Sequence, residues 1–256
     1  MSQLTGICIL SIELNASSEP LTSQTDALSG RLEDLRDRLA QAGLAVTWGV
    51  GAKHPFLGEA LLAQSVDSEV ALHAGPEWSR EGSTRRQFAN GLAHAVSQFE
   101  AAGLDARTLL LPQGRPALYD DLLVKHGIRV VRVGRRSEVR ARRWGWRAGS
   151  NPQLEPLRSV RWGLWEAAVS ANLARDGEST VVRMIDRVSR TGGLAVAVAD
   201  AELLTANERL ASRLISRVVR RRGDAVLRIE TFASLAETRQ TCRSTPSARS
   251  VLRPAA

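Results

Sequence analysis

The chain has 256 residues, 43% of them apolar, enough for one large domain or two small ones with a real core. Its formal net charge of +8 is carried almost entirely by arginine, with lysine only at Lys53 and Lys125. Such a charge suits anionic partners or simply an arginine-rich surface, and it says nothing about fold. Two cysteines, Cys8 and Cys242, exclude a disulfide framework and a cysteine-based zinc site, and no window approaches about 18 consecutive apolar residues, so no membrane-spanning helix is expected.

The N-terminus "MSQLTGICIL" lacks a basic start, a long apolar stretch and a small-residue cleavage site, so a cytoplasmic location is expected. "GICILSI" then reads as a strand running up to Glu13. In "DALSGRLEDLRDRLAQAG" the leucines at 28, 32, 35 and 39 form a helix stripe, and Gly43 is a C-cap. "LAVTWGV" is a strand, "HPFLGEALLAQS" a short helix, and "SEVALHAG" a strand ending near His73. "STRRQFANGLAHAVSQFEAAG" is a long helix, capped by Ser83 or Thr84 and ended by Gly103. "ARTLLLPQG" is a strand and turn, "PALYDDLLVKHG" a helix, and "IRVVRV" a strand.

Regularity lapses between 134 and 158, an Arg- and Trp-rich excursion with Gly and Pro. "VRWGLWEAAVS" resumes as a strand, "STVVRMIDRVSRTGG" is a helix, and "LAVAVAD" is a strand. "NERLASRLISRVVRRRG" is a helix with a basic outer face, and "AVLRIETFASLAETR" supplies a last strand and short helix. Residues 240–256 are Ser-, Arg- and Pro-rich and are expected to be a disordered tail.

Strand and helix alternate seven or eight times, which calls for parallel strands with helical crossovers. The fold class expected is α/β, a distorted (β/α) barrel of about seven strands in a single domain over residues 1–235. A doubly wound open sheet is the competitor, but no G-x-G-x-x-G follows the first strand and no phosphate-binding loop is present. Either way, ligands bind at the carboxyl ends of the strands. Glu13, His73, Gln113, Trp165 and Asp200 fall at or near such ends.

The order of landmarks resembles the polysaccharide deacetylase (NodB-homology) family, distorted (β/α) barrels that hydrolyse amides with a metal ion. The likeness spans most of residues 6–235 and is most persuasive through "PALYDDLLVKHGIRVVRV". The family's first strand ends in a pair of acids, a general base and a metal ligand. Here "SIELN" places Glu13 and Leu14 there. The two metal-binding histidines fall on His73 and Glu77. The Arg-Pro-Pro-x-Gly turn falls on "LLLPQG", with Leu110 at the arginine position. The late histidine, the general acid, falls on Ala199, beside Asp200.

The resemblance therefore implies a retained scaffold with the chemistry largely lost. A metal-dependent hydrolase needs an ion that polarises the carbonyl and activates water, a base for that water and an acid for the leaving amine. Leucine and alanine supply none of these. No resident cofactor is expected. The alternative is zinc or another divalent metal held weakly by His73, Glu77 and Glu13, since carboxylates can ligate zinc.

Each candidate has a plainer reading. Glu13 is a residual base or a strand-end acid paired with an arginine; His73 is a residual ligand or a hydrogen-bonded barrel-rim histidine; Asp200 is a pocket-rim residue or a helix cap. Gln113 is a pocket-rim candidate on the Pro/Gly turn. The segment from Arg135 to Trp165 carries eight arginines and four tryptophans. Its Arg142, Arg143, Trp144, Trp146, Trp162 and Trp165 are candidate contacts, because indoles stack on sugar rings and guanidinium groups fork onto carboxylates or phosphates. The expected function is thus a catalytically inactive deacetylase-like protein, a binding or regulatory protein for a carbohydrate or anionic ligand. The alternatives are an active amide hydrolase with shifted ligands and, more weakly, a basic nucleic-acid-binding barrel, although no recognised nucleic-acid module accompanies the charge. On the degenerate reading, Glu13→Ala and His73→Ala are expected to leave ligand binding and stability nearly unchanged.

Overall fold

A computed structural model of the chain describes residues 5–14, 24–62, 67–79, 82–111, 119–134 and 157–244. Strand β1 (Gly6–Glu13) opens the fold, and α1 (Gln24–Gln41) follows. Leu32, Leu35 and Leu39 of α1 are buried on one face. Gly43 ends the helix in the left-handed conformation, φ 62°. Next come β2 (Thr47–Gly51), α2 (Pro55–Leu62), β3 (Glu69–His73), the single turn α3 (Pro76–Ser79) and α4 (Arg85–Ala101). Thr84 caps α4 in a capping box with Gln87. Then follow β4 (Thr108–Leu110), α5 (Asp120–Lys125) and β5 (Val130–Val133).

Beyond the excursion lie β6 (Leu157–Ser159), β7 (Trp165–Ala168), β8 (Ala171–Asn172), α6 (Leu173–Asp176), α7 (Glu178–Thr191) and β9 (Gly193–Asp200). The chain finishes with α8 (Ala201–Ala206), α9 (Glu208–Gly223), β10 (Leu227–Glu230) and α10 (Phe232–Ser244). Gln240 to Ser244 therefore continue a helix where a disordered tail is expected.

The strands form one ten-stranded sheet in the order β6-β7-β5-β4-β3-β2-β1-β9-β8. β1 pairs with β9 along its whole length. On its other side it pairs with β10 over Gly6–Ile9 and with β2 over Ser11–Glu13. Every pairing is parallel except β6 with β7. The expected count of about seven strands falls short by the short strands β6, β8 and β10, which extend the sheet at its edges or fill half of β1's flank. The order also speaks against the doubly wound alternative, because the step from β8 to β9 crosses the sheet in the same direction as β1 to β5, with no reversal of winding.

The sheet curls. β1 and β5 are four spacings apart, roughly 19 Å across a flat sheet, yet Glu13 of β1 contacts Arg132 of β5. The curl creates two cores. The inner one holds Ile9, Ala71, Leu110, Val130, Trp165, Val196 and Val198 from the strands, with Phe232, Leu235 and Ala236 of α10. The outer one lies between sheet and helices and includes Cys8, Ile12, Trp48, Leu72, Leu92, Phe99 and Ile185. Alternation along β1 follows directly: Ile9 goes inward and Cys8 and Ile12 outward, so Ser11 and Glu13 go inward with Ile9.

At Gly6 the strand meets α7 backbone to backbone. A Cβ there would lie 2.4 Å from the Val188 carbonyl oxygen and 2.6 Å from Val188 Cγ1. We expect Gly6→Ala to lower stability by on the order of 2 kcal/mol through this overpacking. Urea unfolding reads it, and an unchanged midpoint would show that α7 can back away from β1 without loss.

Candidate functional site at the carboxyl ends of the strands

Glu13 is the last residue of β1, and its register partners are Gly49 of β2 and Asp200 of β9. His73 is the last residue of β3 and pairs with Gly51 and Leu110. Leu110 of β4 pairs in turn with Arg132 of β5. The parity that turns Glu13 inward turns His73 and Arg132 inward as well, so three polar side chains converge at the top of an apolar barrel.

Glu13 is 8% exposed and Arg132 only 3%. Arg132 Nη2 donates to Glu13 Oε1, and His73 Nε2 lies 3.5 Å from Glu13 Oε2. Burial pushes the Glu13 carboxyl up, but the His73 contact and the Arg132 charge outweigh it and hold the group below the usual carboxylate range. For Arg132, burial lowers the guanidinium's pKa, and the Glu13 charge opposes that effect. Glu13 is thus a carboxylate kept ionised by His73 and a buried cation, and the open reading of Glu13 as an acid paired with an arginine acquires a named partner.

This geometry corrects one expectation. Glu13→Ala cannot leave stability nearly unchanged, because it would strand a guanidinium in an apolar interior.

The sequence reading missed Arg132. Its signal was a lone charge in the strand "VVRV", every residue of which is buried. The pairing itself spans 119 residues and exists only because the sheet curls.

The other candidates separate. Glu77 lies on α3, and its carboxylate folds back over Gly75. Asp200 caps α8, accepting from the Glu202 N–H at 2.8 Å and the Leu203 N–H at 3.2 Å. Leu14 is buried in the outer core. Trp165 is 7% exposed and packs in the inner core at the amino-terminal end of β7. It is a core residue rather than a surface contact, because the inward parity of β7 points it into the barrel. Trp162 is 61% exposed at the tip of the β6–β7 turn, at the opposite end of the sheet from Glu13. Gln113, Arg142, Arg143, Trp144 and Trp146 lie outside the described residues.

The resemblance implies a divalent metal, and the donors at hand do not fit one. Among the described residues no three His, Cys, Asp or Glu side chains are grouped to hold an ion, so Glu13, His73 and Glu77 form no such set. Glu13 already carries a guanidinium, and the neighbouring position on the chain is Leu14. Nor is any helix among the described residues long and apolar enough to cross a membrane.

Neither a protein-family model nor a curated protein matches the sequence. Solved structures do. A proposed polysaccharide deacetylase from Mycobacterium smegmatis superposes with a TM-score of 0.70 at 15% identity, covering 99% of this chain and 96% of that one. An allantoinase matches with a TM-score of 0.64 at 12% identity, over 96% and 93% of the two chains. A CE4-family pseudoenzyme from Bacillus anthracis matches with a TM-score of 0.54 at 10% identity, over 91% and 66%. The curled sheet, its strand order and these likenesses agree that the fold of this chain is the deacetylase-like (β/α) barrel.

Proposed function

We propose that this chain is a catalytically inactive deacetylase-like barrel that acts as a binding or regulatory protein for a carbohydrate or an anionic ligand, with the cytoplasm as its compartment. One observation carries the inactive part of the reading: the acid at the family's base position, Glu13, is held by a buried arginine. A general base must be free to take a proton from water near the reacting carbon. A carboxylate in contact with a guanidinium, with its pKa lowered, is a poor acceptor. Ala199 at the general-acid position supplies no proton. The likeness to a deacetylase-type structure supports a carbohydrate as the ligand class.

A second reading, an amide hydrolase with shifted ligands, draws on the closeness of His73 Nε2 to Glu13 Oε2. Zinc titration by calorimetry, run beside a deacetylase assay on an N-acetylglucosamine oligomer, separates the two. We expect no stoichiometric zinc and no turnover above background. Stoichiometric zinc with turnover that Glu13→Ala and His73→Ala each abolish would sink the inactive reading.

A further inference from the structure

We infer that Arg132 supplies from within the chain the positive charge that the fold's metal-dependent members take from a divalent ion, so that Glu13, Arg132 and His73 form a cluster that excludes a metal. The inference deepens the inactive reading and rests on it. Four observations converge.

Arg132 is placed to do this by register, sitting beside Leu110 on the adjacent strand, on the same inward face as Glu13 and His73. Both carboxylate oxygens of Glu13 face a nitrogen: Oε1 faces Arg132 Nη2, and Oε2 faces His73 Nε2 at 3.5 Å. The space beside the Glu13 stem is filled as well. A Cβ on Gly49 would lie 2.6 Å from Leu110 Cδ1 and 3.4 Å from Glu13 Cγ, so Leu110 reaches across Gly49 toward the acid.

The charges give the fourth argument. Glu13 and Arg132 sum to zero in a nearly dry site. A divalent ion bound to Glu13 would add two positive charges beside a fixed guanidinium with a single carboxylate to offset them. Uncompensated charge in an apolar interior is strongly disfavoured, and the repulsion is only weakly screened there. Asp200, the nearest carboxylate in register, is committed to capping α8.

The test uses the full chain and three variants: Glu13→Gln, Arg132→Met and the double Glu13→Gln/Arg132→Met. Thermal unfolding is read with and without zinc. Each single change is expected to lower Tm by roughly 10 °C, since each leaves one buried partner uncompensated. The double variant is expected to be more stable than Glu13→Gln alone. The unaltered protein should show no zinc-dependent rise in Tm.

If Arg132→Met does not fold, the comparison of Glu13→Gln with the double variant still decides whether the guanidinium is there to balance Glu13. An Arg132→Met protein as stable as the original would overturn the inference, as would a double variant less stable than Glu13→Gln. So would a zinc-dependent rise in the unaltered protein that Glu13→Gln removes. Turnover by the unaltered protein is the separate result that would end the inactive reading itself.

Discussion

Phe232→Ala is expected to cost about 3–5 kcal/mol of folding free energy, measured by urea unfolding. Phe232 is 1% exposed and begins α10 immediately after β10. It packs in the inner core with Ile9, Ala71, Val130 and Trp165, followed by Leu235 and Ala236 one turn along. β3 contributes only the small Ala71 here, and β7 adds Ala167 beside Trp165, so the ring of Phe232 fills space that the wall leaves open. Removing the ring leaves a cavity between strands that cannot close without breaking their registers, which puts the loss at the upper part of the usual range. Phe232→Leu keeps most of the volume and should recover most of the stability. A loss under about 1 kcal/mol for Phe232→Ala would mean that the inner core tolerates an empty lower end.

The alternation of elements was legible because each signal is local. Helix stripes, the Thr84 capping box and the Gly43 end all depend on residues within a turn or two of each other. The inward face of β1 was legible once the parity of Ile9 and Cys8 was fixed. What could not be read was whatever depends on curl. Arg132 stands out in "VVRV" as a charge, but nothing local says that its partner is Glu13, four strands away.

The β6–β7 hairpin was missed for a different reason. Its turn has positive φ at Trp162 (51°) and Gly163 (79°), and the Leu164 N–H donates to the Arg161 carbonyl at 2.9 Å. Such turns are usually announced by Asn-Gly or Asp-Gly. Trp-Gly inside an arginine-rich run carries no such announcement, and "VRWGLWEAAVS" reads as one strand. Trp165 misled for a related reason: it sits with the other tryptophans of the arginine-rich segment as a stacking candidate, whereas the hairpin puts Trp162 on the tip and Trp165 in the core.

The lower end of the barrel gives the second large effect, through Glu69. This first residue of β3 accepts from the Ala233 N–H at 2.8 Å and from the Thr47 hydroxyl at 3.0 Å, so it ties β2 and β3 to the first turn of α10. The residue as a whole keeps some solvent exposure. Even so, burial pushes its carboxyl up to about 7, and the hydrogen bonds from Ala233 and Thr47 only partly offset the rise. A folded pKa above the unfolded one means that the folded state holds the proton more tightly. The stabilisation this gives is complete below the unfolded value of 4.5 and is lost as pH rises through about 7.

Across that window Glu69 alone should remove on the order of 3 kcal/mol from the protein's stability. Glu69→Gln preserves the shape and a carbonyl acceptor for the Ala233 N–H but cannot ionise. The variant should therefore gain on the original protein steadily between pH 4.5 and 7 and hold a constant advantage above that. Urea unfolding of both proteins at half-unit steps from pH 4.5 to 8 reads the difference directly. A difference that stays flat across the series would show that the carboxyl titrates in the folded protein as it does in the unfolded chain. It would then be anchored by solvent rather than by α10, and the helix would hold the barrel's lower end mainly through its apolar face, Phe232, Leu235 and Ala236.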